Sequence, residues 1–166
     1  MRAPAPTARR YDLRGRPPDV VEILPGLFLG EYPRIEDLAW LAREFGVAAV
    51  LSLQDDDDLA NKGLALAPLV EECRSLGIAF HRSPVADGDA AALEAALGAL
   101  VGELHALLEA GHRVFLHCNA GYNRAPTVAI AYLCMHRGAP LRDAVARVKE
   151  RRGCVPFLSV LGRRFE

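Results

Sequence analysis

One cysteine, Cys118, stands where a thiol can be reactive: an apolar run precedes it and a predicted helix follows it. The unsatisfied N–H groups and the positive dipole end at a helix start favour a thiolate. The same N–H groups form a cradle for an anion, and Gly121 allows the backbone to close around it. Arg124 comes six residues after the cysteine and can hold two anion oxygens at once. These residues predict a nucleophile and an oxyanion clamp around one phosphate-sized site.

The segments around this loop alternate between strand-like and helix-like patterns. Strands are predicted at 20–23, 27–29, 47–53, 78–85 and 113–117, and helices at 35–45, 68–76, 90–110, 124–137, 141–152 and 157–164. This alternation indicates an α/β fold with a central, mostly parallel sheet flanked by helices. In such folds ligands bind at the carboxyl ends of strands, which points to the loops after Val85 and His117.

Length and composition indicate one globular domain. The chain has 166 residues, of which 51% are hydrophobic and 25% charged, with a formal net charge of -1. A near-neutral charge argues against nucleic acid as a partner. The absence of an 18-residue apolar run argues against a membrane partner. Residues 1–18, rich in Ala, Pro and Arg, are predicted to be a flexible tail, and 19–166 the catalytic domain.

The four cysteines follow no metal-binding or disulfide pattern. They are scattered without a Cys-x-x-Cys pair, so neither a zinc cluster nor a disulfide framework is predicted, and a reducing cytoplasmic location is expected. The run Asp55–Asp58 is interpreted as a solvated strand-to-helix loop, because four adjacent carboxylates do not converge on one ion. No metal and no other cofactor is predicted.

The loop sequence HCNAGYNRAPT, residues 117–127, resembles the signature loop of the protein-tyrosine and dual-specificity phosphatase superfamily. The likeness covers roughly residues 20–160 and includes PGLFLGEYPR, which resembles the opening strands of dual-specificity phosphatases. Within the superfamily the chain most resembles the plant-type glucan phosphatases. That likeness lies in residues 53–59, in Arg124-Ala125-Pro126, and in the Arg-x-Cys-x-Pro pattern at 152–156.

The resemblance implies a role for each residue of the loop. Cys118 would attack phosphorus to form a phosphocysteine, Arg124 would hold the phosphoryl oxygens, and His117 would orient the loop. The implied substrate-binding residues are Asn119, Ala120, Gly121, Tyr122, Asn123 and Arg124. Ala125 replaces the hydroxyl residue of most superfamily members, which implies slower breakdown of the phosphoenzyme.

The resemblance also implies a general acid about thirty residues before the cysteine. Asp87 lies 118 − 87 = 31 residues upstream and is the predicted acid. Asp89 is the alternative, although it also suits a helix cap before Ala90.

The implied substrate is a phosphorylated protein, on tyrosine, serine or threonine, or a phosphoglucan. Gly88 replaces the Phe that glucan phosphatases carry after the catalytic Asp, so one carbohydrate platform is missing. Two alternatives remain open: a catalytically weak phosphate-binding module, and a phosphatase of phosphoinositides or other small phosphoesters.

Overall fold

The computed structural model describes residues 15–166 and contains a five-stranded sheet with helices on both faces. The strands are β1 Val20–Leu24, β2 Leu27–Gly30, β3 Ala49–Ser52, β4 Ala79–Arg82 and β5 Val114–His117. Their order in the sheet is β1-β2-β5-β3-β4. The β1–β2 pair is antiparallel and the other three pairs are parallel, so the predicted fold class is confirmed.

Seven helices lie in the described part of the chain. They are α1 Ile35–Phe45, α2 Asp56–Asn61, α3 Leu66–Ser75, α4 Ala90–Glu109, α5 Arg124–His136, α6 Leu141–Arg151 and α7 Leu158–Phe165. All but α2 were predicted from the sequence, with ends that differ by at most two residues. Such shifts are ordinary because helix ends fray.

The aspartate run Asp55–Asp58 is not the solvated loop that the sequence predicted. The Asp55 carboxylate accepts a hydrogen bond from the Asp58 amide at 2.8 Å, and the Asp58 carboxylate accepts one from the Asp55 amide at 2.9 Å. This reciprocal pair is a capping box, which starts α2 and satisfies two backbone donors. Asp56 and Asp57 face solvent, whereas Asp58 is turned inward and buried.

The two faces of the sheet carry separate apolar cores. On β5, Val114 and Leu116 point into the larger core, and Phe115 points into the smaller one. This explains why the strand reads as one continuous apolar run: both of its faces are covered. Helix α5 packs so deeply in the larger core that Arg124 to Leu133 are all buried. A buried strand and a buried helix therefore fix both ends of the loop between them.

Helix α4 is long and apolar enough to cross a membrane by length and composition alone. In the structure its apolar face packs on the larger core, where Leu93, Leu97, Leu100 and Leu104 are buried. Burial of a leucine contributes roughly 2 kcal/mol to stability. Core packing therefore accounts for the large apolar residues on that face of the helix.

The predicted tail, residues 1–18, lies mostly outside the described residues, which begin at Gly15. Within the described part, Arg16 donates to the Glu31 carboxylate at 2.8 Å and Pro18 is buried.

Candidate active site

The loop between β5 and α5, residues 118–123, is called the phosphate loop below. It leaves the sheet at the carboxyl end of the central strand, with β2 on one side and β3 on the other. Cys118 is its first residue and is 2% exposed. The side chains of Cys118 and Arg124 line one pocket with a volume of about 140 Å³. The structure thus brings together the predicted nucleophile and clamp.

Every carbonyl of the phosphate loop accepts a hydrogen bond. The donors are the His117 ring to Cys118, the Tyr32 amide to Asn119, the Arg152 guanidinium to Ala120 and Gly121, the Val155 amide to Tyr122, and the Thr127 hydroxyl to Asn123. In a trans peptide the N–H points opposite to the C=O of the preceding residue. The amides that follow these carbonyls therefore point away from those donors, and Asn119, Ala120, Tyr122 and Asn123 line the pocket together with Cys118.

Those amides are available to a ligand. Within residues 15–166, the N–H groups of Asn119 to Asn123 donate to no protein acceptor. Backbone N–H groups that face one point without partners bind an anion. The backbone of the predicted substrate-binding residues thus offers unpartnered N–H groups beside the pocket, while the Tyr122 side chain is 49% exposed.

The segment 152–157 braces the cradle from behind. Arg152 Nε donates to the Gly121 carbonyl at 2.8 Å. Val155 and the loop exchange two hydrogen bonds: its amide donates to Tyr122 O at 2.9 Å, and Asn123 Nδ2 donates to its carbonyl at 2.6 Å. The sequence showed the Arg-x-Cys-x-Pro pattern of this segment but not its contact with the loop.

Gly121 is required where the loop passes close to β2. Its φ is +66°, and a Cβ added there would lie 2.6 Å from the Gly30 carbonyl oxygen. A side chain is therefore excluded both by the backbone conformation and by the contact.

Arg124 is held by a buried aspartate that the sequence did not single out. Its Nη1 donates to Asp58 Oδ2 at 2.6 Å and to the Val85 carbonyl at 2.7 Å. The arginine side chain is 1% exposed and that of Asp58 is 4% exposed. The Nε of Arg124 is buried and has no hydrogen-bond partner in the described part of the chain. A clamp that is fixed at one end and leaves a donor unsatisfied at the other is suited to an incoming oxyanion.

The charges of this pair support each other. Burial alone would raise the pKa of the Asp58 carboxyl, but hydrogen bonds from Arg124, the Asp55 amide and Asn119 hold that pKa below its usual value. Burial alone would lower the pKa of Arg124, and Asp58 instead raises it. Both groups are therefore charged at neutral pH.

A side-chain network links Asp58 to the loop itself. Asn119 Nδ2 donates to Asp58 Oδ1 at 2.7 Å, and Gln54 Nε2 donates to Asn119 Oδ1 at 2.8 Å. One signal for this network was present in the sequence: Asp55-x-x-Asp58 followed by Leu59 is a capping-box pattern, which places the last acid on an inward turn. Four identical residues in a row concealed it.

His117 is buried and neutral. Burial lowers the pKa of its imidazole to about 4, against a raising contribution from its contact with the Cys118 carbonyl. The ring Nδ1 lies 2.9 Å from that carbonyl oxygen, and because a carbonyl only accepts, Nδ1 carries the proton. His117 thus fixes the first peptide of the loop.

The two candidate acids occupy different positions. The segment 83–89, called the acid loop below, follows β4 and carries both of them. Asp87 lines the same pocket as Cys118, with its Oδ1 3.4 Å from Nη2 of Arg124. The Asp89 carboxylate accepts from the Ala92 amide at 2.9 Å and caps α4. Only Asp87 therefore faces the pocket from this loop.

Comparison with known proteins gives a family match over most of the chain. Residues 27–158 match the family described as "Dual specificity phosphatase, catalytic domain". The chain is 32% identical over 144 residues to human dual specificity protein phosphatase 2, covering 86% of this chain and 41% of that protein. It is 30% identical over 141 residues to the phosphoglucan phosphatase DSP4, amyloplastic, of Castanea sativa, covering 84% of this chain and 38% of that protein.

A solved structure extends the likeness to three dimensions. The crystal structure of human DUSP28 superposes with a TM-score of 0.69 at 30% identity, covering 90% of this chain and 95% of that one. The chain spans about two fifths of the length of the two relatives above. Both the sequence and the fold comparisons thus lead to one group of proteins.

Proposed function

The chain belongs to the family of dual specificity phosphatase catalytic domains, and from that membership we propose that it hydrolyses phosphate monoesters through a phosphocysteine intermediate. Cys118 is the nucleophile, Arg124 and the loop amides bind the phosphoryl oxygens, and Asp87 is the general acid. The reducing conditions that keep such a thiol active favour a cytoplasmic location.

In the first step the thiolate of Cys118 attacks phosphorus and the bond from phosphorus to the ester oxygen breaks. Asp87, protonated, gives its proton to that oxygen as it leaves. The equatorial oxygens bind the amides of the phosphate loop and Arg124 Nε, which are unsatisfied before substrate arrives. Because these donors are already aimed, little reorganisation is needed.

In the second step a water molecule attacks the phosphocysteine. Asp87 takes a proton from the water, the S–P bond breaks, and inorganic phosphate and the thiolate are released. Ala125 offers no hydroxyl to the leaving sulfur. This step is therefore expected to be slower than the same step in phosphatases that carry a hydroxyl residue at the position of Ala125.

One observation carries the proposal: the phosphate loop holds all its carbonyls outward, so its amides surround the mouth of a pocket that contains a thiol and a guanidinium. A simple phosphate-binding module needs the amides and the arginine but not a cysteine at the base of the pocket or an aspartate across it. The presence of both this cysteine and this aspartate favours catalysis over binding alone.

Hydrolysis of 4-nitrophenyl phosphate by the purified chain tests the reaction. Cys118→Ser is expected to lower kcat by about a thousandfold or more, and EDTA to leave turnover unchanged. Cys134→Ser, a cysteine outside the loop, is the matched control and keeps full activity. Turnover that survives Cys118→Ser, or that EDTA abolishes, contradicts the mechanism. Vanadate binding without turnover favours the binding module.

For the substrate, a phosphorylated protein fits the site better than a glucan. Gly88 follows Asp87 with open space within 4 Å of the position of a Cβ, so no ring stands there to stack on a sugar. The match to a protein named as a phosphoglucan phosphatase keeps the glucan as the second candidate.

Phosphate release separates the two substrates. Phosphotyrosine and phosphothreonine peptides, amylopectin and a phosphoinositide are compared at equal phosphate concentration. A kcat/KM on peptides at least tenfold above that on amylopectin supports a phosphorylated protein as the substrate, and the reverse order contradicts it. If Gly88→Phe raises amylopectin turnover relative to peptides, the missing ring is the reason for the preference.

A further inference from the structure

A second pocket lies at the far end of α5. It is lined by Leu24, Pro25, Leu133, Arg137, Ala139 and Arg147 and has a volume of about 360 Å³. From Arg124 to Arg137, at 1.5 Å per residue, the helix rises roughly 20 Å, which separates this pocket from the catalytic one. It is called the distal pocket below.

The distal pocket has an apolar floor. Leu24 is 7% exposed and Leu133 is 3% exposed, and both belong to the larger core. Pro25 and the partly buried Ala139 complete this side. Displacing water from such a surface favours an apolar group by roughly 25 cal/mol per Å².

Two guanidinium groups supply the charge, and each is tethered by its Nε. Arg147 Nε donates to the Ile23 carbonyl at 3.0 Å, and Arg137 Nε donates to the Tyr132 hydroxyl at 3.3 Å. Their terminal Nη groups have no acidic partner within residues 15–166, and no lining residue is acidic. The Arg137 guanidinium also lies over the Tyr132 ring, 5.9 Å from its centroid. Two cationic forks beside an apolar floor suit a planar carboxylate with an apolar body.

We propose that the distal pocket is a binding site for a small amphiphilic carboxylate, with its headgroup on Arg137 and Arg147 and its chain on the floor. A volume of about 360 Å³ is in the range of small-molecule sites, about 300–1,000 Å³. The ligand is therefore a small molecule.

Calorimetric titration of the full chain with octanoate tests the site. The expected result is one octanoate bound per chain, with octanamide and acetate each at least about tenfold weaker, because each lacks one of the two contacts. Saturating vanadate, which fills the catalytic pocket, leaves octanoate affinity unchanged. Failure to bind octanoate, or displacement of octanoate by vanadate, overturns the proposal whether or not the chain is a phosphatase.

Arginine variants locate the binding. Arg137→Gln and Arg147→Gln are expected to weaken octanoate about tenfold or more, whereas Arg142→Gln, an exposed arginine outside the pocket, binds as the wild type does. Equal affinity in all three overturns the proposal. Since loss of the Arg147 contact with Ile23 can affect folding, Ala139→Leu provides a second variant: it fills the floor, keeps both charges and abolishes binding.

Discussion

The phosphate loop and the acid loop leave the same edge of the sheet but are held in different ways. All six carbonyls of the phosphate loop are hydrogen-bonded, and Cys118 at its start is 2% exposed. The acid loop is tied at Val85, whose amide donates to Leu53 and whose carbonyl accepts from Arg124. Beyond that residue, Asp87 is 61% exposed.

The difference follows from what each loop does in the proposed reaction. A cradle stabilises charge only if its donors are fixed before the charge develops, so its backbone must be held from outside. A general acid exchanges protons with water between steps, so its carboxyl must stay accessible. Substitutions are therefore expected to affect stability and activity together in the first loop and separately in the second.

The largest expected effect comes from the acid loop and concerns activity alone. Asp87→Asn is expected to lower kcat on phenyl phosphate, a poor leaving group, by about 10²–10⁴-fold, and much less on 4-nitrophenyl phosphate. Because Asp87 is exposed, the free energy of unfolding changes by less than about 0.5 kcal/mol. Asp89→Asn is the control. If Asp89→Asn shows the leaving-group dependence instead, the acid is misassigned.

Asp58→Asn is expected to lower stability and activity together. The change leaves Arg124 buried without its counter-charge, which costs about 3–5 kcal/mol. Urea unfolding measures the loss, and kcat on 4-nitrophenyl phosphate falls because the guanidinium is no longer held. Asp57→Asn, an exposed neighbour on the same helix, changes neither. A stable but inactive Asp58→Asn variant would contradict the coupling.

Alanine substitutions of one glycine in each loop test how tightly the backbone of each loop is packed. Gly121→Ala combines a left-handed φ of +66° with a Cβ 2.6 Å from Gly30 O, and is expected to cost about 3 kcal/mol. Gly88→Ala has a similar φ of +74° but open space, and is expected to cost about 1 kcal/mol. Thermal unfolding of both variants measures the difference. Equal losses would mean that the contact with β2 contributes nothing.

Near neutral pH the smallest effect is the pH dependence from His117, which grows as the solution is acidified. The folded-state pKa of His117, about 4, lies below the ordinary value of 6.5. The stability that the neutral imidazole contributes is therefore fully present above pH 6.5. As the pH falls from 6.5 to 4, the free energy of unfolding decreases by about 1.4 kcal/mol per pH unit. The stability that the Asp58 carboxylate contributes is lost only at lower pH, because its pKa is lowered from the ordinary value of 3.8.

Unfolding at several pH values checks this dependence. His117→Gln is expected to flatten the curve between pH 6.5 and 4, whereas His112→Gln, away from the loop, leaves it unchanged. An unaltered slope in His117→Gln would show that this imidazole is not the titrating group.

Local sequence patterns explain why most helices and strands could be predicted. The apolar run of β5 and the loop-to-helix boundary at Arg124 are local patterns, and they located the pocket. Asp58 was missed because residues 55–58 are chemically identical, and only the start of α2 determines which of them turns inward. The braces from Arg152 and Val155 were missed because nothing local indicates that residues 31 and 33 positions later pack behind Gly121 and Tyr122.

The close stacking of backbone at Gly30 limits how this cradle can be engineered into other proteins. A Cβ at Gly30 would lie 2.1 Å from the Asp19 carbonyl oxygen, and a Cβ at Gly121 would lie 2.6 Å from that of Gly30. Three stretches of backbone, the two paired ends of the β1–β2 hairpin and the phosphate loop, thus meet without any side chain between them. A protein engineer who grafted residues 117–127 onto a foreign scaffold would transplant only one layer, and would need the other two for the loop to keep its shape.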